Sequence, residues 1–281
     1  MIEVKHLYRQ NLHTHTVYCD GRDTPEQLVK EALCLGLDSL GFSAHSFMPW
    51  QAIEYSLSPE KAPLYKNDVL GLKDKYKDLI DLYLGLEVEI ASLPLDLSDY
   101  DYTIGSVHYI QKDGRWLAMD RSEDFVRNLI NTEFGGDGMA YAKAFYETAA
   151  TLGEYGRFDI VGHFDLVTKH AENVCFFDTE SREYQSAALE ALHAVAETHT
   201  LFELNTGAIG RGYRQTPYLA PFLMRELRTL GCKLLISSDC HDKRQLTCYY
   251  DESVEYIKSF GFTELQMLTK DGFQPIKIDT L

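Results

Sequence analysis

Short apolar runs that each end in a histidine or an acidic residue constrain this chain more than any other feature. They recur along most of its 281 residues, and each has the length of a β-strand. In parallel α/β proteins, the residues at the carboxyl ends of the strands meet at one edge of the sheet. The sequence therefore predicts one polar site built from many strands. The polar residues in question are His13-Thr14-His15 with Asp20, Ser43-Ala44-His45, Gly85-Leu86-Glu87, Ser106-Val107-His108, Gly162-His163 and Asp239-Cys240-His241.

Predicted helices alternate with these strands. Thr24-Pro25-Glu26-Gln27 has the form of a capping box and predicts a helix that ends near Gly36. A second helical stretch begins at Ser58-Pro59. Phe47 to Leu57 and Ile110 to Asp120 are irregular and are predicted to be loops over the site. The other predicted helices cover 140–154, 181–198 and 218–230, and the predicted strands cover 38–42, 79–86, 102–107, 158–162, 201–205 and 233–237.

The alternating order predicts an α/β fold with a parallel sheet, in a single domain of residues 1–281. An open sheet would gather its site at one switch point, from few strands. A closed barrel brings every strand's carboxyl end to the same rim. Polar residues at the ends of six strands therefore favour a closed barrel of about seven strands. Whether 264–268 and 275–278 are strands is left open.

The amino-acid composition limits the classes of partner that the chain is expected to bind. The formal net charge is -16, which argues against a nucleic-acid partner, because such binding depends on Lys and Arg neutralising phosphates. A small-molecule substrate is expected instead. The chain has no run of about eighteen apolar residues and no signal-peptide pattern, so no membrane contact and a cytoplasmic location are predicted. Its six cysteines form no CxxC pair, which favours reduced thiols.

Strand periodicity accounts for the two closely spaced pairs. Residues two apart on a strand face the same way, so His13 and His15 are predicted to point together into the barrel mouth. By the same periodicity, Asp239 and His241 are predicted to point together into the barrel mouth. Cys240, between them, is predicted to point away and to pack.

The ordered series HTH with a following acid, SAH, GLE, SVH, GH and SDCH runs from His13 to His241. It resembles the PHP (polymerase and histidinol phosphatase) superfamily. Asp20-Gly21 and the segments 36–43 and 162–167 are similar to the stand-alone histidinol-phosphate phosphatases of that superfamily. The resemblance implies a distorted (β/α)7 TIM-like barrel that holds three divalent metal ions.

The resemblance also implies ligands and a nucleophile. A hydroxide bridging metals at the first ligand set would attack phosphorus, since bound metals lower the pKa of water towards about 7. Zn, Mn and Fe all suit imidazole and carboxylate ligands. The implied sets are His13, His15, Glu87 and Asp239 for one metal, Glu87, His108 and His163 for a second, and Asp20, His45 and His241 for a third.

The net positive charge of such a centre suits a phosphate monoester. The expected reaction is hydrolysis of L-histidinol phosphate to L-histidinol and phosphate, a step of histidine biosynthesis. Arg211 and Lys169 are candidates for phosphate binding, and Glu89 is a candidate proton donor for the leaving group. Two alternatives remain open. They are a PHP phosphoesterase for nucleotides or oligonucleotide ends, and a catalytically silent metal-binding regulatory domain.

Overall fold

Eleven strands occur in the computed structural model, which describes residues 8–48, 55–92 and 95–280. They are β1 (Gln10–Asn11), β2 (Ser39–His45), β3 (Asp81–Glu89), β4 (Tyr102–Ser106), β5 (Tyr109–Lys112), β6 (Arg115–Ala118), β7 (Ile160–Val161), β8 (Leu201–Asn205), β9 (Lys233–Ser237), β10 (Glu264–Thr269) and β11 (Gly272–Lys277). Strands β1 to β4 and β7 to β9 form one seven-stranded sheet, in chain order. Every neighbouring pair in it is parallel.

Backbone hydrogen bonds close this sheet beyond the ends of β1 and β9. Thr14 and Cys240 form a parallel bridge. The His15 amide donates to the Cys240 carbonyl at 2.8 Å, and the Cys240 amide donates to the His13 carbonyl at 3.0 Å. The prediction of a distorted seven-stranded barrel is therefore confirmed. Its irregularity is greatest at β1 and β7, which have two residues each.

One tyrosine fills the barrel interior. Tyr102 is fully buried, and its hydroxyl donates to the Leu12 carbonyl on the opposite side of the barrel. Gly41 in β2 and Gly85 in β3 make room for the ring, because a Cβ at either position would overlap it. These glycines let the barrel close around a large polar side chain.

Helices lie mostly on the outside of the barrel, and one short helix, Gly207–Gly210, lies beside Asp239 at the rim. They are α1 (Pro25–Cys34), α2 (Lys61–Tyr76), α3 (Glu123–Glu133), α4 (Gly138–Ala150), α5 (Leu152–Tyr155), α6 (Arg182–Ala196), α7 (Gly207–Gly210), α8 (Pro221–Thr229) and α9 (Tyr250–Ser259). The predicted capping box is present, since Thr24 and Gln27 bond reciprocally. Helices α3, α7 and α9 were not predicted. In the described part of the chain, no helix is long and apolar enough to cross a membrane.

The prediction of a loop from Ile110 to Asp120 is wrong, because β5 and β6 form an antiparallel hairpin there. Asp113 and Gly114 form its two-residue turn, with φ of 50° and 72°. An Asp-Gly pair suits this turn, because both central residues need positive φ. Of the other predicted loop, Phe47 to Leu57, residues 49–54 lie outside the described residues. The two C-terminal runs left open are a second hairpin, β10–β11.

Candidate metal centre

Nine acidic and imidazole side chains meet at the carboxyl-terminal rim of the barrel. All nine are the residues that the sequence predicted as metal ligands. The register of the strands explains part of this convergence, because His45 on β2 lies directly beside Glu87 on β3. The described residues contain four overlapping groups whose potential ligand atoms lie within 4.8 Å of one another. These groups are His15, Asp20, His45 and His241; His13, His15 and Glu87; His13, His163 and Asp239; and His45, Glu87 and His108.

The first predicted ligand set is compact. Glu87 Oε2 lies 3.3 Å from His13 Nε2 and 3.4 Å from His15 Nε2. Asp239 Oδ1 lies 3.6 Å and 3.2 Å from the same two nitrogens. A tetrahedral zinc ion with bonds of about 2.0–2.1 Å would hold its ligand atoms about 3.3–3.4 Å apart. The spacing between each carboxylate and the two imidazoles is therefore close to that of ligands on one ion, although His13, His15 and Glu87 form one group of mutually close atoms and Asp239 falls in another, with His13 and His163.

The second oxygen of Glu87 faces a different pair of histidines. Glu87 Oε1 lies 3.0 Å from His163 Nε2 and 3.5 Å from His108 Nε2. Because the two carboxylate oxygens point to separate groups of nitrogens, Glu87 has the geometry of a bridging ligand.

The third set surrounds Asp20. Its Oδ1 lies 3.5 Å from His45 Nε2 and 3.2 Å from His241 Nε2. The His15 ring stacks against each of these two histidines, at centroid distances of 4.2 and 4.1 Å. The third group thus adjoins the first through His15.

Several of these atoms are buried without a hydrogen-bond partner, which tests whether the site fits a metal. They are His13 Nε2, His15 Nε2, Asp20 Oδ1 and Glu87 Oε2. His45 Nδ1 approaches Glu87 Oε2 to 2.8 Å but is not directed at it as a donor. Buried polar atoms are normally satisfied. Their convergence without hydrogen bonds is the pattern that a shared cation would produce.

The charges of the site favour the metal-binding form at some ligands and oppose it at others. Burial lowers the pKa of His13 and His45, but the neighbouring carboxylates outweigh it and raise both pKa values well above that of a free imidazole, so these rings must lose a proton to bind a metal. Burial and the neighbouring charges of His241 and His45 lower the pKa of His15 to about 3, so its ring is neutral. Burial raises the pKa of Glu87, but the charges of His13 and His45 outweigh this and hold the pKa well below its ordinary value. Metal ligation requires neutral imidazole and ionised carboxylate.

A buried carboxylate that the sequence analysis missed supports two of the ligand sets. Glu203 on β8 is fully buried, and its Oε2 accepts from His13 Nδ1 at 2.8 Å. Its Oε1 accepts from the His163 amide at 2.7 Å. Ser237 and Asn205 also donate to it. The only feature of the sequence that could have pointed to Glu203 is its place as an acidic residue in the middle of an otherwise apolar strand.

Glu89 has a similar role beside the second set. Its Oε2 accepts from both the backbone amide and Nδ1 of His108, at 2.7 and 3.0 Å. A carboxylate on Nδ1 leaves Nε2 of the same ring free to bind a metal. Glu89 also lines the cavity beside the metal centre, and its suggested role as a proton donor stays a prediction.

The two predicted phosphate-binding residues line a cavity of about 340 Å³ beside the metal centre. Arg211 donates to the Asp239 carboxylate and carbonyl at 2.8 and 2.7 Å. Lys169 pairs with Asp120 at 2.6 Å. Both cations therefore reach the cavity, and their contact with phosphate stays a prediction.

Strand periodicity was the wrong reason for pairing Asp239 with His241. β9 ends at Ser237, and Asp239 has a left-handed φ of 44°. The chain turns at Asp239, and both side chains still face the site, with atoms 3.5 Å apart. Cys240 is buried and its thiol contacts the Asp242 carbonyl, so it points away as predicted.

Residues 11–207 match the family profile described as PHP domain. The chain belongs to the PHP family. A Deinococcus radiodurans protein named "Probable histidinol-phosphatase" is 28% identical to it, over 89% of this chain and 92% of that protein. Asp239 and His241 lie beyond the matched PHP region.

Two solved structures share the fold of this PHP protein. A Listeria monocytogenes protein assigned as the histidinol phosphatase hisK has a TM-score of 0.74 and 19% identity, over 86% of this chain and 99% of that one. The histidinol phosphate phosphatase of Lactococcus lactis, complexed with zinc, L-histidinol and phosphate, has a TM-score of 0.65 and 19% identity. It covers 95% of this chain and 98% of its own.

Proposed function

We propose that the chain is a metal-dependent phosphomonoesterase that hydrolyses L-histidinol phosphate to L-histidinol and phosphate. The observation that carries the proposal is the convergence of nine potential ligands at one rim, with four of their buried atoms lacking hydrogen-bond partners. The names of the relatives support the substrate. We also propose that residues 1–281 act as one domain, because β1 and β9 contact each other.

Three divalent ions would be held by the three sets. The first ion would be held by His13, His15, Glu87 and Asp239, the second by Glu87, His108 and His163, and the third by Asp20, His45 and His241. Zinc is the metal to test first, because the Lactococcus lactis protein contains it; manganese and iron suit the same ligands. Such ions supply Lewis-acid activation of water near neutral pH and neutralise phosphoryl charge.

The residues of this chain give the reaction its geometry. Glu87 ties the first two ligand sets together through its two oxygens. Glu203 and Glu89 hold His13 and His108 with their Nε2 atoms facing inward. Arg211 fixes Asp239, and Lys169 adds a cation at the cavity. The arrangement favours a dianionic phosphate monoester over a neutral substrate.

A substrate panel tests this function. The zinc-loaded chain is expected to release phosphate from L-histidinol phosphate with a kcat/KM at least roughly tenfold above that for any nucleoside monophosphate or short single-stranded oligonucleotide, since specificity is a difference in transition-state binding. Phosphate release is measured with each substrate under identical conditions. A preference for nucleotides or oligonucleotide ends would contradict the proposal, as would no hydrolysis of any ester. A cytoplasmic location and the lack of a nucleic-acid partner stay predictions.

A further inference from the structure

One carboxylate in the cavity beside the metal centre is not used by the reaction described above. Within the described residues, the acidic side chains that line this cavity are Asp20, Glu89, Asp120 and Asp239. Asp20 and Asp239 belong to the ligand sets, and Glu89 accepts from His108. Asp120 is therefore the acidic group left to contact a substrate.

Asp120 reaches the cavity from the segment between β6 and α3. Its Oδ1 accepts from Lys169 Nζ at 2.6 Å, and no hydrogen bond to Oδ2 occurs within the described residues. The side chain is 31% exposed, so a ligand can contact it. Its charge interacts with those of His108 and Arg211, which places it next to the metal centre.

Lys169 holds the Asp120 side chain in place. Lys169 Nζ lies 4.6 Å from the centroid of the Tyr213 ring, in cation–π geometry, while it pairs with Asp120. Lys169 follows a short 3-10 helix that comes after β7, so the pair joins two loops across the cavity. This fixes one oxygen of Asp120, and the other accepts no hydrogen bond within the described residues, on a side chain that lines the cavity.

The chemistry of the substrate identifies what this oxygen would bind. L-Histidinol phosphate carries an ammonium group on the carbon next to the ester carbon, so the ammonium must enter the cavity when phosphate contacts the metal centre. Arg121 and Lys169, both cations, line the same cavity. A desolvated ammonium beside them is costly unless a carboxylate pairs with it.

We propose that Asp120 binds the ammonium group of the substrate, so that the enzyme selects phosphate monoesters of amino alcohols. This inference rests on the proposed function and specifies which substrates the site accepts. Asp120 acts on specificity, and the metal ligands act on the phosphoryl group. The two roles can therefore be separated by kinetics.

Two substrates and two variants test the inference. The substrates are L-histidinol phosphate and 3-(imidazol-4-yl)propyl phosphate, which lacks only the amine. Asp120→Asn keeps the size of the side chain and removes its charge. Asp113→Asn is the matched control, because Asp113 pairs with Lys112 at the exposed tip of the β5–β6 hairpin, away from the cavity. Each zinc-loaded protein is assayed at neutral pH with both substrates.

Asp120→Asn is expected to lower kcat/KM for histidinol phosphate roughly 10- to 100-fold, mainly through KM, and to change kcat/KM for the amine-free ester by less than about threefold. Asp113→Asn should leave both values unchanged. Equal losses of kcat/KM on the two substrates would overturn this inference but not the proposed function, because they would indicate that Asp120 acts in the chemistry or the structure. A wild-type chain that does not hydrolyse histidinol phosphate would overturn the proposed function, and this inference with it.

Discussion

Replacing Glu87 with glutamine is expected to lower kcat/KM for histidinol phosphate by more than about 1,000-fold, since metal ions supply several kcal/mol of transition-state stabilisation. The reason is that one carboxylate serves two ligand sets. Its Oε2 lies near His13 and His15, and its Oε1 lies near His163 and His108. Glutamine keeps the volume of the side chain but carries no charge to hold two cations.

The metal content of the Glu87→Gln variant should fall with its activity. Roughly two of the three metals should be lost, because two sets share this ligand. Elemental analysis of the dialysed protein measures this, and circular dichroism shows whether the barrel is retained. Glu190→Gln, on the exposed side of α6, is the matched control and should behave as wild type. Full metal content with full activity in the Glu87 variant would refute the bridging role.

Replacing Glu203 with glutamine is expected to weaken metal binding about 10- to 100-fold, the usual effect of removing a group that orients a ligand. Glu203 accepts hydrogen bonds from His13, His163, Asn205 and Ser237. The NH2 group of a glutamine cannot accept a hydrogen bond, so at least one of these four donors would lose its acceptor. The His13 ring would then lose the acceptor that keeps its Nε2 facing the first ligand set.

Zinc affinity measured by competition with a chelating dye tests the role of Glu203 apart from turnover. At saturating zinc, most of the lost activity should return, because the ligands themselves are intact. Glu197→Gln, exposed just after α6, is the control. Unchanged zinc affinity in Glu203→Gln, with reduced activity, would show that Glu203 does not act through the metals.

The ligand positions could be predicted because each closes or follows an apolar run. Strand ends determine where such residues meet, and the barrel brings His45 and Glu87 into register. The capped helix α1 could be predicted for a similar reason, since Thr24 and Gln27 bond within one turn. These features depend on local sequence or on a simple rule of the fold.

Long-range contacts could not be predicted in the same way. Glu203 and His13 lie 190 residues apart, and nothing near Glu203 indicates its partner. Lys169 was predicted to bind phosphate from its position after His163, but its pairing with Asp120 depends on where two loops meet. The β5–β6 hairpin has a local signal, because its Asp113-Gly114 pair suits a two-residue turn, and the prediction of a loop there did not use it.

The central claim is that nine residues on one rim bind metals that the phosphatase reaction needs. A zinc titration of the metal-free chain tests it, with bound zinc and phosphate release from histidinol phosphate measured at each step. Activity should be absent without metal, rise as zinc binds and reach its maximum near about three equivalents per chain. Undiminished hydrolysis by the metal-free chain would contradict the claim, and so would fewer than about two zinc ions bound at saturation.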